Sequence, residues 1–244
     1  MHRFFVIPPG DDGRVVIHGA DARHAQRVLR LVEGDRFIAV IEGQGQYIAR
    51  ITGAGPSKVV AVIEQPIEAA TEPETQVWLF QCMPKAEKMD AIVQRATELG
   101  VAGIVPVSSS RTVPRPNGEN AQSRYSRWRK IATESSELSG RLRVPEVTGL
   151  VSFAQALEMS REFDIKLMPW EQERCTSLKQ SLAGPRPARV FLMIGPEGGF
   201  SEEEAAQALA AGVLPVTLGP RMMRTENAGA AALAIILYEL GEMG

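Results

Sequence analysis

Two loops near the C-terminal end constrain the fold most. The first is Ile194-Gly195-Pro196-Glu197-Gly198-Gly199-Phe200-Ser201; the second is Leu218-Gly219-Pro220-Arg221-Met222-Met223-Arg224-Thr225-Glu226-Asn227. Each follows a short apolar run that reads as a strand, Val190 to Ile194 and Val213 to Leu218, and each opens onto a helical pattern. Strand, glycine turn and helix, repeated, specify an α/β domain with a mostly parallel sheet, in which ligands gather at the carboxyl ends of the strands. Ser201 and Glu204 form a capping-box pattern, and an alanine-rich helix runs from Glu226 to Leu240. The loops lack the G-x-G-x-x-G spacing of dinucleotide sites and the spacing of a P-loop.

The same texture extends back to Gln76. Val77 to Gln81 reads as a buried strand. Met89, Ile92, Val93, Ala96 and Leu99 follow at helical spacing, with Gly100 placed to end the helix. Gly103 to Val107 is a strand, Arg124 to Leu138 and Phe153 to Met159 are helices, and Ile165 to Met168 is a strand. Before Gln76 the pattern differs. Asp35 to Glu42 and Gln46 to Thr52 flank Gly43-Gln44-Gly45 as a hairpin, Val59 to Ile63 is a third strand, and Asp21 to Leu31 is helical with Ala22, Ala25, Val28 and Leu29 on one face. The polar segment Ile67 to Thr75 reads as a linker, giving one domain over residues 1–70 and another over 74–244.

Composition narrows the chemistry. The formal net charge is −2, so nucleic-acid binding requires a local basic patch. Arg111, Arg115, Arg124, Arg127, Arg129, Lys130, Arg141 and Arg143 supply one, against Glu119, Glu134 and Glu137. An ordinary solvated helix face accounts for that charge equally well. Arg23, His24, Arg27 and Arg30 repeat the theme near the N-terminus at spacings that share a helical face. Cys82 and Cys175 form no CxxC pair, and His2, His18 and His24 all precede residue 25. The second domain therefore offers no Ser-His-Asp triad and no histidine metal site, and no metal is expected. The opening residues have too short an apolar run for a signal peptide, and no stretch approaches a membrane span, which points to the cytoplasm.

Taken together, the segments resemble the RsmE-type bacterial 16S ribosomal RNA uridine-N3 methyltransferases of the SPOUT superfamily. The resemblance rests on Arg3-Phe4-Phe5, His24-x-x-Arg27-Val28-Leu29-Arg30, Gly34-Asp35, Pro84-Lys85-x-x-Lys88-Met89, Gln94-x-Ala96-Thr97-Glu98-Leu99-Gly100-Val101, Trp128-x-Lys130-Ile131, Ser139-Gly140-Arg141 with Val144-Pro145, and both C-terminal loops. Two positions depart from the family pattern. Leu138 stands where glutamine is common before Ser-Gly-Arg, and Asn227 stands where threonine often follows Arg-Thr-Glu.

The resemblance implies an N-terminal PUA-like β-barrel that binds RNA and a C-terminal α/β domain with a deep trefoil knot. It also implies S-adenosylmethionine as cofactor, and a homodimer acting in rRNA processing on 16S ribosomal RNA or the small subunit. On this reading the cofactor lies over Ile194, Gly195, Pro196, Gly199, Leu218, Gly219, Met223 and Thr225, with Met168 and Pro169 as a third wall. Arg224 or Arg221 stabilises the uracil anion, and Glu197 or Glu226 is a base or a cofactor-orienting group. Arg3, Arg23, Arg27, Arg30, Arg111, Arg124, Arg127 and Arg141 are the expected RNA contacts. The alternatives are a SPOUT enzyme acting on a ribose 2′-hydroxyl or on transfer RNA, a non-catalytic RNA-binding assembly factor, and a nucleotide enzyme on a Rossmann-like sheet. The intact loop residues argue against the assembly factor, and the missing glycine fingerprint argues against the nucleotide enzyme.

Overall fold

The computed structural model describes residues 1–8, 13–55, 57–68, 70–85, 88–112 and 119–243. Arg115 lies outside the described residues. The chain divides into two compact units, Met1–Glu72 with Ser136–Arg143, and Pro73–Ser135 with Val144–Gly244.

The first unit contains β1 (Arg3–Phe5), β2 (Arg14–His18), α1 (Gly19–Arg27), β3 (Arg36–Ile41), β4 (Gly45–Gly55) and β5 (Lys58–Ile67). The strands order as β1-β3-β4-β5-β2. The expected hairpin is β3–β4, closing with Ile41 opposite Gly45. A bridge from Ile7, just beyond one edge strand, to Val16 in the other edge strand curls the sheet back on itself. Phe4, Val15, Ile17, Phe37 and Ile51 fill the interior, sealed by Ala22 and Ala25 of α1.

Helix α1 ends at Arg27, short of the expected Leu31. Arg30 has a left-handed backbone (φ 55°) and the Leu31 N–H returns to the Ala25 carbonyl, so the chain turns there. Val28 is consequently exposed rather than on the buried face. The Ser136–Arg143 segment joins this unit instead of the second. Arg141 is its anchor, only 4% exposed, with its guanidinium Nη2 donating to Glu72 Oε2 at 2.7 Å. Glu72 also accepts from the Leu142 N–H at 2.8 Å, so a residue of the expected linker has a structural role.

The second unit contains β6 (Gln76–Cys82), α2 (Lys88–Glu98), β7 (Gly103–Ser108), α3 (Glu119–Ser139) as far as Ser135, β8 (Glu146–Val147), β9 (Val151–Ser152), α4 (Phe153–Met159), β10 (Ile165–Pro169), α5 (Leu178–Ser181), β11 (Arg189–Ile194), α6 (Glu202–Ala210), β12 (Leu214–Val216) and α7 (Thr225–Glu239). The sheet runs β12-β10-β11-β6-β7-β8, with β9 also on β7, and all these pairings are parallel. Period-two alternation divides the core into two layers. Val77, Leu79, Val190, Leu192 and Ile194 face one layer with α2 and α7, while Phe80, Cys82, Phe191 and Met193 face the other with α4 and α6. Among the described residues no helix is long and apolar enough to cross a membrane.

Candidate functional site

Strand β10 lies between β11 and β12, so the chain reverses direction along the sheet there. From β11 it crosses through α6 on one face, and from β12 it enters α7 on the other. The two loops leave the carboxyl edge toward opposite faces and open a crevice above β10, the place where such sheets bind ligands. A cavity of about 690 Å³ occupies it. Pro169, Trp170, Glu171 and Arg174 line it from the β10 side, Ile194–Phe200 from the first loop, and Thr217–Thr225 with Ala228 from the second.

The loops are fixed by bonds that follow from the local sequence. Gln81 falls at a strand position facing α7, so its amide is fully buried among apolar residues and requires partners. Its Nε2 donates to Thr225 Oγ1 at 3.0 Å, and that hydroxyl donates to the Gly195 carbonyl at 2.6 Å. Ser201 and Glu204 make the expected capping box on α6, and the other Glu204 oxygen accepts the Ser110 N–H at 2.7 Å. At Gly195 a Cβ would stand 3.2 Å from the Phe200 ring, so a side chain there would require the ring to shift by a few tenths of an ångström. At Gly219 the space is open but φ is +103°, which side chains rarely adopt.

A charged cluster joins the same loops from outside. Lys88 Nζ lies 2.9 Å from Glu197 Oε1 and 3.3 Å from Glu226 Oε2. Glu197 also accepts the Lys85 N–H at 3.1 Å. Burial pulls the Glu197 carboxyl up, but bonds from Lys88 and from the backbone N–H groups of Glu197 and Lys85 outweigh it and hold it below the ordinary carboxylate range. Glu226 is also held low, first by its own backbone N–H, against burial, and then by Lys88. The Lys88 ammonium is raised, chiefly by Glu197. Asn227, one of the two departures from the family pattern, accepts from Arg95 Nη1 at 2.7 Å and so fastens the start of α7 to α2.

The cavity gathers Pro169, Ile194, Gly195, Pro196, Gly199, Leu218, Gly219, Met223, Thr225, Glu197, Arg221 and Arg224. Glu226 lies behind it, on Lys88. Met168 is a correction to the expected third wall: it is fully buried in the α4–α6 layer, because alternation along β10 turns it inward. Arg221 and Arg224 are exposed, and among the described residues neither guanidinium forms a hydrogen bond or ion pair, while the Arg224 carbonyl accepts the Asn227 and Ala228 N–H groups.

The expected RNA contacts sort by environment. Arg23, Arg27, Arg30 and Arg124 are exposed. Arg127 is exposed but paired with Asp90 at 2.5 Å, and Arg111 donates to the Gly198 carbonyl at 2.6 Å. Arg3 donates to Gln46 at 2.5 Å and to the Gly140 carbonyl at 3.2 Å, and burial lowers the proton affinity of its guanidinium. Arg141 is corrected outright: the Glu72 pair buries it, so it presents no charge to a phosphate. Leu138, the other departure, is 85% exposed.

Sequence reasoning missed Gln81, Lys88 and Arg174. A lone glutamine inside an apolar strand was a legible signal that a buried partner must exist. Arg174 carried no signal, because the irregular loop after β10 has no period.

The comparisons agree with this geometry. A model of the RNA methyltransferase domain matches residues 71–237, and one of the RNA methyltransferase PUA domain matches residues 17–64. The ribosomal RNA small subunit methyltransferase E of Bacillus subtilis is 29% identical, covering 91% of this chain and 89% of that protein. Its namesake from Synechocystis is 30% identical over 92% and 73%. The crystal structure of the Neisseria gonorrhoeae ribosomal RNA small subunit methyltransferase E bound to S-adenosyl methionine superposes with a TM-score of 0.85 at 33% identity, covering 98% of this chain and 97% of that one. With a family model spanning most of its length and a full-length structural relative at that identity, this chain belongs to the ribosomal RNA small subunit methyltransferase E family.

Proposed function

We propose that this protein methylates N3 of a uridine in 16S ribosomal RNA, using S-adenosylmethionine, in the cytoplasm. The observation that carries the reading is the crevice above β10, where bare loop backbone and two exposed arginines line one cavity. The cavity fits the cofactor chemically. Ile194, Leu218, Met223 and Ala228 suit an adenine face, the backbone at Gly195 and Gly219 is open to polar edges, and Glu171, Glu173 and Glu197 suit cationic groups. Trp170, another lining residue, keeps its indole N–H buried without a partner among the described residues. Bound there, S-adenosylmethionine supplies an electrophilic methyl group.

The chain's own residues then have to position the uracil and favour its anion. N3–H is a weakly acidic imide between two carbonyls; its proton passes to solvent water, and the anion left behind spreads charge onto both oxygens. A guanidinium at one oxygen stabilises that charge as it develops; Arg224, with Arg221 beside it, lines the cavity, and among the described residues its guanidinium has no hydrogen bond or ion pair, only a longer-range pull on Glu226. Glu197 and Glu226 are held ionised on Lys88, so their affinity for a proton is low and they serve as orienting groups rather than as the base. Arg23, Arg27, Arg30 and Arg124 hold RNA phosphates.

A homodimer completes the reading. Ala230, Ala234 and Ile235 on α7 remain half-buried in an apolar helix; light scattering at micromolar concentration that gives a monomer contradicts it. The function itself is tested with purified protein, methyl-labelled S-adenosylmethionine and 16S ribosomal RNA, free or in small subunits, followed by nucleoside analysis. Label in 3-methyluridine supports the assignment. Label in a ribose 2′-O-methyl group, or only in transfer RNA, refutes it.

A further inference from the structure

The Lys88 cluster has a geometry that cofactor contacts do not explain. Lys88 is the first residue of α2, yet its ammonium reaches Glu197 in the first loop and Glu226 in the first turn of α7. We propose that Lys88 is a positioning residue of the cofactor site: it clamps the loop after β11 to the start of α7 and so sets the width of the crevice between them. The inference rests on the reading that this cavity holds S-adenosylmethionine.

Three observations carry it. First, the three groups are half-sheltered, with side chains 34% (Lys88), 24% (Glu197) and 15% (Glu226) exposed, so their charges are screened less than those of a surface pair. Second, Glu226 Oε2 is closed off from solvent, and among the described residues the group nearest to satisfying it is the Lys88 ammonium 3.3 Å away, so its charge leans on that cation. Third, both carboxylates approach a single nitrogen. Without that cation, two like charges, one in the first loop and one at the start of α7, face each other and push these two segments apart. The Gln81–Thr225–Gly195 bonds tie the first loop to the start of α7 at one point; Lys88 ties the same two segments at a second. A compact ammonium with three donors can serve two carboxylates from one point.

The test measures loop mobility and cofactor binding separately. Lys88→Met keeps the aliphatic stem and removes the charge; Lys88→Arg keeps the charge; Glu197→Gln/Glu226→Gln removes the partners. In ligand-free protein, backbone hydrogen exchange across residues 195–201 and 219–225 is expected to accelerate in Lys88→Met and in the double glutamine variant, and to stay near wild type in Lys88→Arg. By calorimetry, S-adenosylmethionine affinity is expected to fall about tenfold in Lys88→Met, equivalent to about 1.4 kcal/mol, and by less than about threefold in Lys88→Arg. Unchanged exchange in both segments, or affinity in Lys88→Met within twofold of wild type, overturns the clamp. If Lys88→Met does not fold, the double glutamine variant decides on the same exchange criterion. If wild type binds no S-adenosylmethionine while exchange still accelerates, the cofactor reading fails and the clamp stands.

Discussion

The Thr225 hydroxyl donates to the Gly195 carbonyl oxygen at 2.6 Å, so the first residue of the last helix is bonded to the loop that follows β11. Thr225 is buried, and the same oxygen accepts from Gln81. Its place at the cavity wall therefore expresses a structural duty: it passes the rigidity of β6 to the two loops that shape the crevice.

Thr225→Val tests that duty. The substitution keeps shape but leaves a buried amide donor and a carbonyl without their partner, at a cost of about 1–3 kcal/mol. We expect a lower thermal midpoint and weaker S-adenosylmethionine binding, with Thr225→Ser restoring most of both. Normal binding by Thr225→Val would show that the hydroxyl plays no part in holding the loops.

The arginines should separate into two groups. Replacing Arg23, Arg27 and Arg124 with alanine is expected to weaken RNA binding and flatten its salt dependence, since each lost phosphate contact releases fewer counterions. Cofactor affinity should not change. Arg141→Ala should instead destabilise the fold by about 2–3 kcal/mol, because it strands Glu72 beside a buried site. Filter binding across a salt series, with thermal melts, distinguishes the groups. An unchanged salt slope in the triple variant removes these residues from the RNA surface.

The charge cluster fixes the sign of a pH response. Glu197 and Glu226 are depressed below their unfolded value, so the stability they contribute is present above the ordinary carboxylate range and is lost as pH falls through their lowered values. Lys88 is raised, so its contribution holds below the ordinary lysine range and is lost only as pH rises through its higher value. These groups therefore leave S-adenosylmethionine affinity flat across neutral pH. Calorimetry from about pH 6 to 9 checks this, and a transition centred near neutrality that disappears in Glu197→Gln/Glu226→Gln would contradict it.

Much of this site was legible in the sequence because it is built from short-range patterns. Glycine after an apolar strand, a serine cap three residues before Glu204 and the helical spacing from Met89 to Leu99 each determine their structure locally. What stayed hidden depends on long-range partners. Nothing near Arg141 announces that Glu72 will bury it, and nothing near Arg30 announces the turn that removes it from the helix. Met168 looked like a cavity wall because it ends an apolar strand; only the strand's register shows that it points into the core while Pro169 meets the crevice. Lys88 was visible as a motif residue, but its role appears only when two distant glutamates converge on it.

The central claim is uridine N3 methylation with Arg224 stabilising the anion. Its most direct test is mass-spectrometric nucleoside analysis of 16S ribosomal RNA from a strain lacking this gene, complemented with wild type or Arg224→Ala, beside single-turnover rates of the purified proteins. The account predicts that 3-methyluridine disappears on deletion and returns with wild type. It predicts that Arg224→Ala, still binding RNA and cofactor, transfers methyl about 10²–10³-fold more slowly. Unaltered 3-methyluridine in the deletion strain, or a wild-type single-turnover rate for Arg224→Ala, would contradict it.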